Sequence, residues 1–236
     1  MDEGPPRKLV MFYYLGRKKR LAHLYPEPLH DTIVEPFAGS AAYSLHGNRW
    51  QRHVIINDLS PITCGVWRYL QDASVNDIMK LPEPQPGEKL SDYKMLSEDE
   101  RWLISFHINI GTNRRSNVVT PFSRWPAGKR YILGNLHKIK HWTIVQGSYD
   151  QLYDCDVPAT YFVDPPYHRS GKFYMVNEVN YDELAKWCLS RNGQVIVCEQ
   201  SGASWLPFDP LASIAIAGKH RSDEVMWTNV VRPTLF

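Results

Sequence analysis

Paired cysteines are the first thing this chain lacks. Its four, Cys64, Cys155, Cys188 and Cys198, are scattered without paired spacing, which argues against a zinc site and against a disulfide framework. The nine histidines show no ligand spacing either. No apolar run approaches membrane-spanning length. The amino terminus, Met-Asp-Glu-Gly-Pro-Pro-Arg-Lys, has neither the basic start nor the apolar stretch of a signal peptide. Internal repeats and low-complexity tracts are also missing. These absences lead us to expect a cytoplasmic protein without a metal. The net charge of +2 gives no argument for nucleic acid by itself, and 236 residues suffice for one large domain or a domain with an insertion.

Acid is missing from one long stretch. Between Arg101 and Tyr149 there is no acidic residue, while Arg101, Arg114, Arg115, Arg124, Lys129, Arg130, Lys138 and Lys140 are basic. Trp102, Phe106, Phe122, Trp125, Tyr131 and Trp142 are interleaved with them. The preceding stretch, Asp72 to Glu100, is the reverse: eight acids against three lysines, broken by Pro82, Pro84 and Pro86. A charge run is usually a solvated face. Nearly fifty residues without one acid, rich in aromatics and in Asn-Arg-Arg-Ser-Asn, better suit phosphates and base edges. Asn113, Arg114, Arg115, Arg124, Lys129 and Arg130 are the candidate nucleic-acid contacts.

What is present elsewhere alternates between strand and helix. Short β-rich runs fit Thr32–Glu35, Val54–Asn57, Tyr161–Val163 and Gln194–Cys198, with a closing pair at Ile214–Ile216 and Glu224–Trp227. Helical stretches fit Pro61 to Gln71 and Tyr181 to Ser190, and a further helix is expected to begin near Ser40. This pattern predicts a mostly parallel α/β sheet, in which ligands bind at the carboxyl ends of strands. Four predicted strands place Glu35, Asp58, Asp164 and Glu199 there. The expected division is a sheet domain of residues 1–70 and 141–236 interrupted by an insertion, 71–140, that is mainly helical or irregular.

Three of those strand ends carry recognisable chemistry. The turn Phe37-Ala38-Gly39-Ser40-Ala41-Ala42 allows close backbone approach to a ligand, and Asp58 stands where nucleotide-binding sheets hold ribose hydroxyls. Together they imply an adenosine-containing cofactor. The triple-glycine phosphate fingerprint is absent, so a cofactor without a pyrophosphate fits better, with NAD as the alternative. Asp164-Pro165-Pro166-Tyr167 suits the gripping of a planar amine. The carboxylate accepts an N–H, the rigid backbone presents a carbonyl, and the ring stacks on a base.

These motifs, in this order, resemble the Dam-like DNA adenine methyltransferases, in particular phage and prophage members. The family's Gly-x-Lys segment is similar to Tyr14-Leu15-Gly16-Arg17-Lys18. Its Glu-Pro-Phe-x-Gly-x-Gly motif is similar to Glu35 through Ala41, with alanine replacing the last glycine. Its Asn-Asp motif matches Asn57-Asp58, and its catalytic tetrapeptide matches Asp164 to Tyr167. Gly147-Ser148-Tyr149 sits where the family borders the cofactor's adenine.

The resemblance implies a Rossmann-like methyltransferase sheet, S-adenosylmethionine as cofactor, double-stranded DNA as partner and a flipped adenine as target. Cofactor contacts are then expected from Tyr14, Gly16, Lys18, Glu35, Phe37, Gly39, Asp58, Ser148, Tyr149 and Asp164. Catalysis is expected from Asp164, Pro165, Pro166 and Tyr167, in a protein that acts as a monomer. Cytosine N4, whose tetrapeptide usually begins with serine, an RNA target, and a catalytically silent DNA-binding protein are the alternatives. The acidic-then-basic insertion lies where the alpha group of these enzymes places target recognition.

Overall fold

A computed structural model of the chain describes residues 10–14, 18–108, 116–152, 157–168, 179–215 and 221–230. Seven strands form one sheet: β1 (Thr32–Glu35), β2 (His53–Asp58), β3 (Thr143–Gln146), β4 (Ala159–Val163), β5 (Gly193–Gln200), β6 (Asp209–Ala215) and β7 (Arg221–Thr228). Their order is β3-β2-β1-β4-β5-β7-β6, with β7 antiparallel to both of its neighbours and the other pairs parallel. This is the mostly parallel α/β sheet expected from the sequence. The chain runs outward from β1 to β2 and β3, then returns to the other side of β1 as β4. That reversal between β1 and β4 opens the crevice in which such sheets hold ligands.

Alternation along the central strands divides the core between two faces. On β4, Phe162 joins the cluster containing Ile33, Ile56, Trp67, Phe106 and Trp125, while Tyr161 and Val163 join Leu184, Trp187 and Val195 on the other side. On β5, Ile196 and Cys198 follow the first face and Val195 and Val197 the second. Helix α5 (Tyr181–Leu189) covers the second face, started by the Asn180 side chain, which accepts the Glu183 N–H.

The first face is covered by α1 (Pro61–Asp72), α3 (Glu98–Ile108) and α4 (Trp125–Asn135), with the short α2 (Val75–Lys80) beside them. Helix α1 begins with a proline behind the Ser60 cap and stops at Ala73, where the Lys140 ammonium binds the carbonyls of Leu70, Gln71 and Ala73. Ser74 and Asp77 make a capping box on α2, and Glu98, Asp99 and Glu100 occupy the first turn of α3. The acidic character of 72–100 is therefore partly helix-terminus chemistry. Helices α2 to α4 come between α1 and β3 in the chain, and Trp102, Phe106, Trp125 and Ile132 share one continuous core with the sheet.

Two expectations need correction. No helix begins near Ser40. Ala41 adopts a left-handed φ of 46°, and Glu35 Oε1 captures the Ser44 N–H at 2.8 Å, so residues 39–48 run as successive turns. Strand β3 is an additional element: a four-residue edge strand with partly exposed side chains, Thr143 to Gln146, paired with β2. Its Thr-Ile-Val-Gln run is nearly that of β1, Thr-Ile-Val-Glu, and differs from it in exposure.

Candidate active site

The turn after β1 and the acid after β2 are built as one unit. The Gly39 N–H donates to Asp58 Oδ2 at 3.0 Å, and the Ser60 N–H donates to Asp58 Oδ1 at 2.9 Å. Each carboxylate oxygen keeps a second lone pair for a ligand hydroxyl. Gly39 has φ 47°, and a Cβ there would stand 2.9 Å from Tyr14 Cδ1, so both backbone shape and the Tyr14 ring require glycine. The Trp67 indole N–H donates to the Gly39 carbonyl at 2.8 Å.

Asn57 ties this turn to the end of β3. Its amide donates to the Pro36 and Gly147 carbonyls, each at 3.0 Å. Beyond Gly147, Ser148 and Tyr149 begin a single 3-10 turn, and the Tyr149 ring lies 5.3 Å from that of Phe37, tilted by 36°. Phe37 and Tyr149 are both half-buried, so the carboxyl ends of β1, β2 and β3 present an aromatic wall beside the Asp58 carboxylate.

Across the switch point, Asp164 follows β4 directly. Lys18 Nζ reaches Asp164 Oδ1 at 2.7 Å, and the same ammonium lies 4.5 Å from the centre of the Tyr167 ring. Lys18, expected at the cofactor, is thus placed on the tetrapeptide itself, with its side chain only 3% exposed. Pro165 and Pro166 are buried, and the Pro166 carbonyl accepts the Tyr181 hydroxyl. Tyr167 is buried as well, and its hydroxyl donates to Glu224 of β7. Glu199, at the end of β5, accepts the His168 backbone N–H at 3.2 Å and the Trp205 indole N–H at 3.1 Å.

Three carboxyl groups here have acidities set by burial. Asp164 is pushed up to about 6 by desolvation, pulled back by Lys18, and raised further by the nearby charges of Glu224 and Glu199. Asp58 is pushed up to about 6 by desolvation against its two backbone hydrogen bonds. Glu35 is pushed up to about 7 by desolvation, despite its bond to Ser44.

The remaining candidates divide. Gly16, Asn113, Arg114 and Arg115 lie outside the described residues. Lys129 is a correction: it is 7% exposed, donates to the Leu81 carbonyl at 2.7 Å and pairs with Glu83 at 3.3 Å, so it faces inward rather than toward a phosphate. Arg101 donates to the Tyr93 carbonyl, Lys138 lies over the Trp50 ring, and Lys140 closes α1. Four of the eight basic residues in the acid-free stretch thus serve the fold. Arg124 is half-buried at the start of α4, and Arg130 is exposed on it. Glu224 was visible in the sequence only as part of a strand; its partnership with Tyr167 depends on strand order, which pattern alone does not reveal.

Among the described residues no group of His, Cys, Asp and Glu could hold a metal ion, and no helix is long and apolar enough to cross a membrane. Residues 14–101 match the D12 class N6 adenine-specific DNA methyltransferase model, a span that includes Lys18, Gly39 and Asp58 and ends before the tetrapeptide. None of the curated proteins matches the chain. Among solved structures, the rRNA methyltransferase aviRa from Streptomyces viridochromogenes is 13% identical with a TM-score of 0.43, covering 94% of this chain and 87% of that one. The 23S rRNA methyltransferase ErmE is 9% identical with a TM-score of 0.42, covering 92% and 68% respectively.

Proposed function

We propose, from the match of residues 14–101 to the D12 class N6 adenine-specific DNA methyltransferase model and from the geometry above, how this site works. A methyl group is transferred from S-adenosylmethionine to the exocyclic amine of an adenine flipped out of duplex DNA. The observation that carries this reading is the meeting of two half-sites across one switch point. The Gly39–Asp58 unit stands on one side and Asp164 to Tyr167 on the other.

The first half fits S-adenosylmethionine. Asp58 keeps lone pairs for ribose hydroxyls, the Gly39 turn offers backbone without a side chain, and Phe37 and Tyr149 give aromatic faces for a sulfonium and an adenine. Ser148, Tyr14, Gly16, Lys18 and Glu35 are the further contacts we propose. When bound, the cofactor supplies the methyl group.

The second half orients the acceptor. Asp164 and the Pro165 carbonyl each accept one N–H of the amine, which turns the nitrogen lone pair out of conjugation with the ring and toward the methyl donor. Lys18 holds Oδ1 of Asp164, so Oδ2 is the oxygen for the amine. Positioning and the Asp164 charge, facing a nitrogen that becomes positive, lower the barrier. Methylation makes that nitrogen acidic, and its proton leaves through the Asp164 carboxylate. Tyr167 stacks on the flipped base, and unstacking it from the duplex costs about a few kcal/mol.

Arg114, Arg115 and Asn113, with Arg124 and Arg130, are the proposed duplex contacts, from a recognition region within 71–140. The protein works as a monomer in the cytoplasm of a bacterium or phage-infected host. The test is to incubate it with tritiated S-adenosylmethionine and duplex DNA and to identify the labelled base. Label in N6-methyladenine is the expected result; label in cytosine, or no transfer at all, overturns the proposal.

A further inference from the structure

Tyr167 is held at its far end by a residue outside the tetrapeptide. Its hydroxyl donates to Glu224 Oε2, and Glu224 lies on β7, two strands across the sheet from β4. The two prolines fix the backbone before Tyr167, but they leave its ring two side-chain torsions. A carboxylate at the ring's tip removes that freedom. Lys18 defines the ring from a different direction, 4.5 Å from its centre.

Glu224 is 7% exposed, and its charge reaches Asp164. Burying a carboxylate near another is unfavourable unless strong hydrogen bonds offset its desolvation. On β7 it pairs in register with Gln200, so its side chain shares the sheet face of Cys198 and Met226, opposite to that of Glu199.

We propose that Glu224 is a positioning residue for methyl transfer: by accepting the Tyr167 hydroxyl, it sets the plane of the ring on which the target base stacks. This rests on the adenine-methylation reading above. The acceptor oxygen and its reach matter here, and the negative charge does not. Glutamine keeps the reach and an acceptor oxygen while losing the charge. Aspartate keeps the charge and withdraws it by one methylene.

The experiment uses the full chain with E224Q, E224D, Y167F and the double variant E224D/Y167F. Single-turnover methyl transfer is measured on a duplex containing the adenine that wild type labels. A second duplex carries 2-aminopurine at that adenine, reporting by fluorescence whether the flipped base is stacked. E224Q is expected within about threefold of wild type in rate. E224D and Y167F should each lose roughly 10- to 100-fold, the range for leaving a buried hydrogen-bonding group without its partner. The double variant should lose no more than either single one. The 2-aminopurine signal of E224Q should match wild type, while E224D gives a brighter, unstacked base.

Equal loss in E224Q and E224D, or losses that multiply in the double variant, overturn the inference. So does a rate in E224D equal to that of wild type. A wild-type protein that labels no adenine overturns the functional reading together with it. A wild type that labels adenine, combined with any of the preceding results, overturns the role of Glu224 alone.

Discussion

The Lys18 ammonium and the Asp164 carboxylate meet at 2.7 Å, joining the amino-terminal motif to the tetrapeptide. Asp164 is pushed up to about 6 by burial and held there partly by this cation. Methyl transfer needs the carboxylate, so wild-type activity should fall as pH drops below about 6. Removing the cation in K18M lets the Asp164 carboxyl rise further. The acidic limb of the kcat/KM profile should then move upward, with part of the lost activity recovered at higher pH. An unshifted limb would separate Lys18 from the ionisation of Asp164.

Gly39→Ala adds a Cβ at φ 47°, 2.9 Å from the Tyr14 ring. The left-handed conformation alone costs about 1–2 kcal/mol for a residue with a Cβ. Thermal unfolding should show a loss of at least that size, and titration with S-adenosylmethionine should show weaker binding. Y14A added to G39A should restore part of the stability by removing the clash while leaving the strained φ.

Glu35 links stability to pH in the direction opposite to activity. Its carboxyl is raised from 4.5 to about 7, so the folded protein holds a proton there that the unfolded chain releases. This contribution is complete below 4.5 and is lost as pH rises through about 7. Glutamine still accepts the Ser44 N–H and carries no charge. E35Q should therefore unfold at a higher temperature than wild type at pH 8, by about 5 °C, with little difference at low pH. Equal melting temperatures at pH 8 would show that the ionised carboxylate is better solvated than its burial implies.

Lys129 should behave differently toward DNA from Arg124 and Arg130. Lys129→Met leaves the Leu81 carbonyl and Glu83 without their partner and should destabilise the fold by about 1–3 kcal/mol. Its effect on the salt dependence of DNA affinity should be negligible. R124A with R130A should instead flatten that dependence, by about one unit of slope for each phosphate that is no longer neutralised. The quantity to compare is the slope of log affinity against log salt, measured on proteins first shown to be folded.

Much of the fold was legible because the central strands are short apolar runs that end in acids. Glu35, Asp58, Asp164 and Glu199 all stand where that pattern put them. The Thr-Ile-Val run of β3 matches that of β1, so this edge strand carried the same signal. The helix expected at Ser40 failed because a buried carboxylate, Glu35, competes for the Ser44 N–H, a tertiary effect with no local signature. Charge was the least reliable guide. The basic side chains of Lys129 and Lys140 resemble phosphate contacts in sequence, yet Lys129 binds a buried carbonyl and Lys140 closes α1 at the surface. The place of the tetrapeptide at a strand end was readable, whereas Lys18 and Glu224, both in contact with Tyr167, depend on tertiary placement.

The central claim is that Asp164 accepts the amine during transfer. Its direct test is Asp164→Ala, assayed for transfer of tritium from S-adenosylmethionine to duplex DNA alongside a DNA-binding titration. Transfer should be abolished while DNA affinity stays close to wild type. Turnover retained in D164A would contradict the account and remove Asp164 from the mechanism.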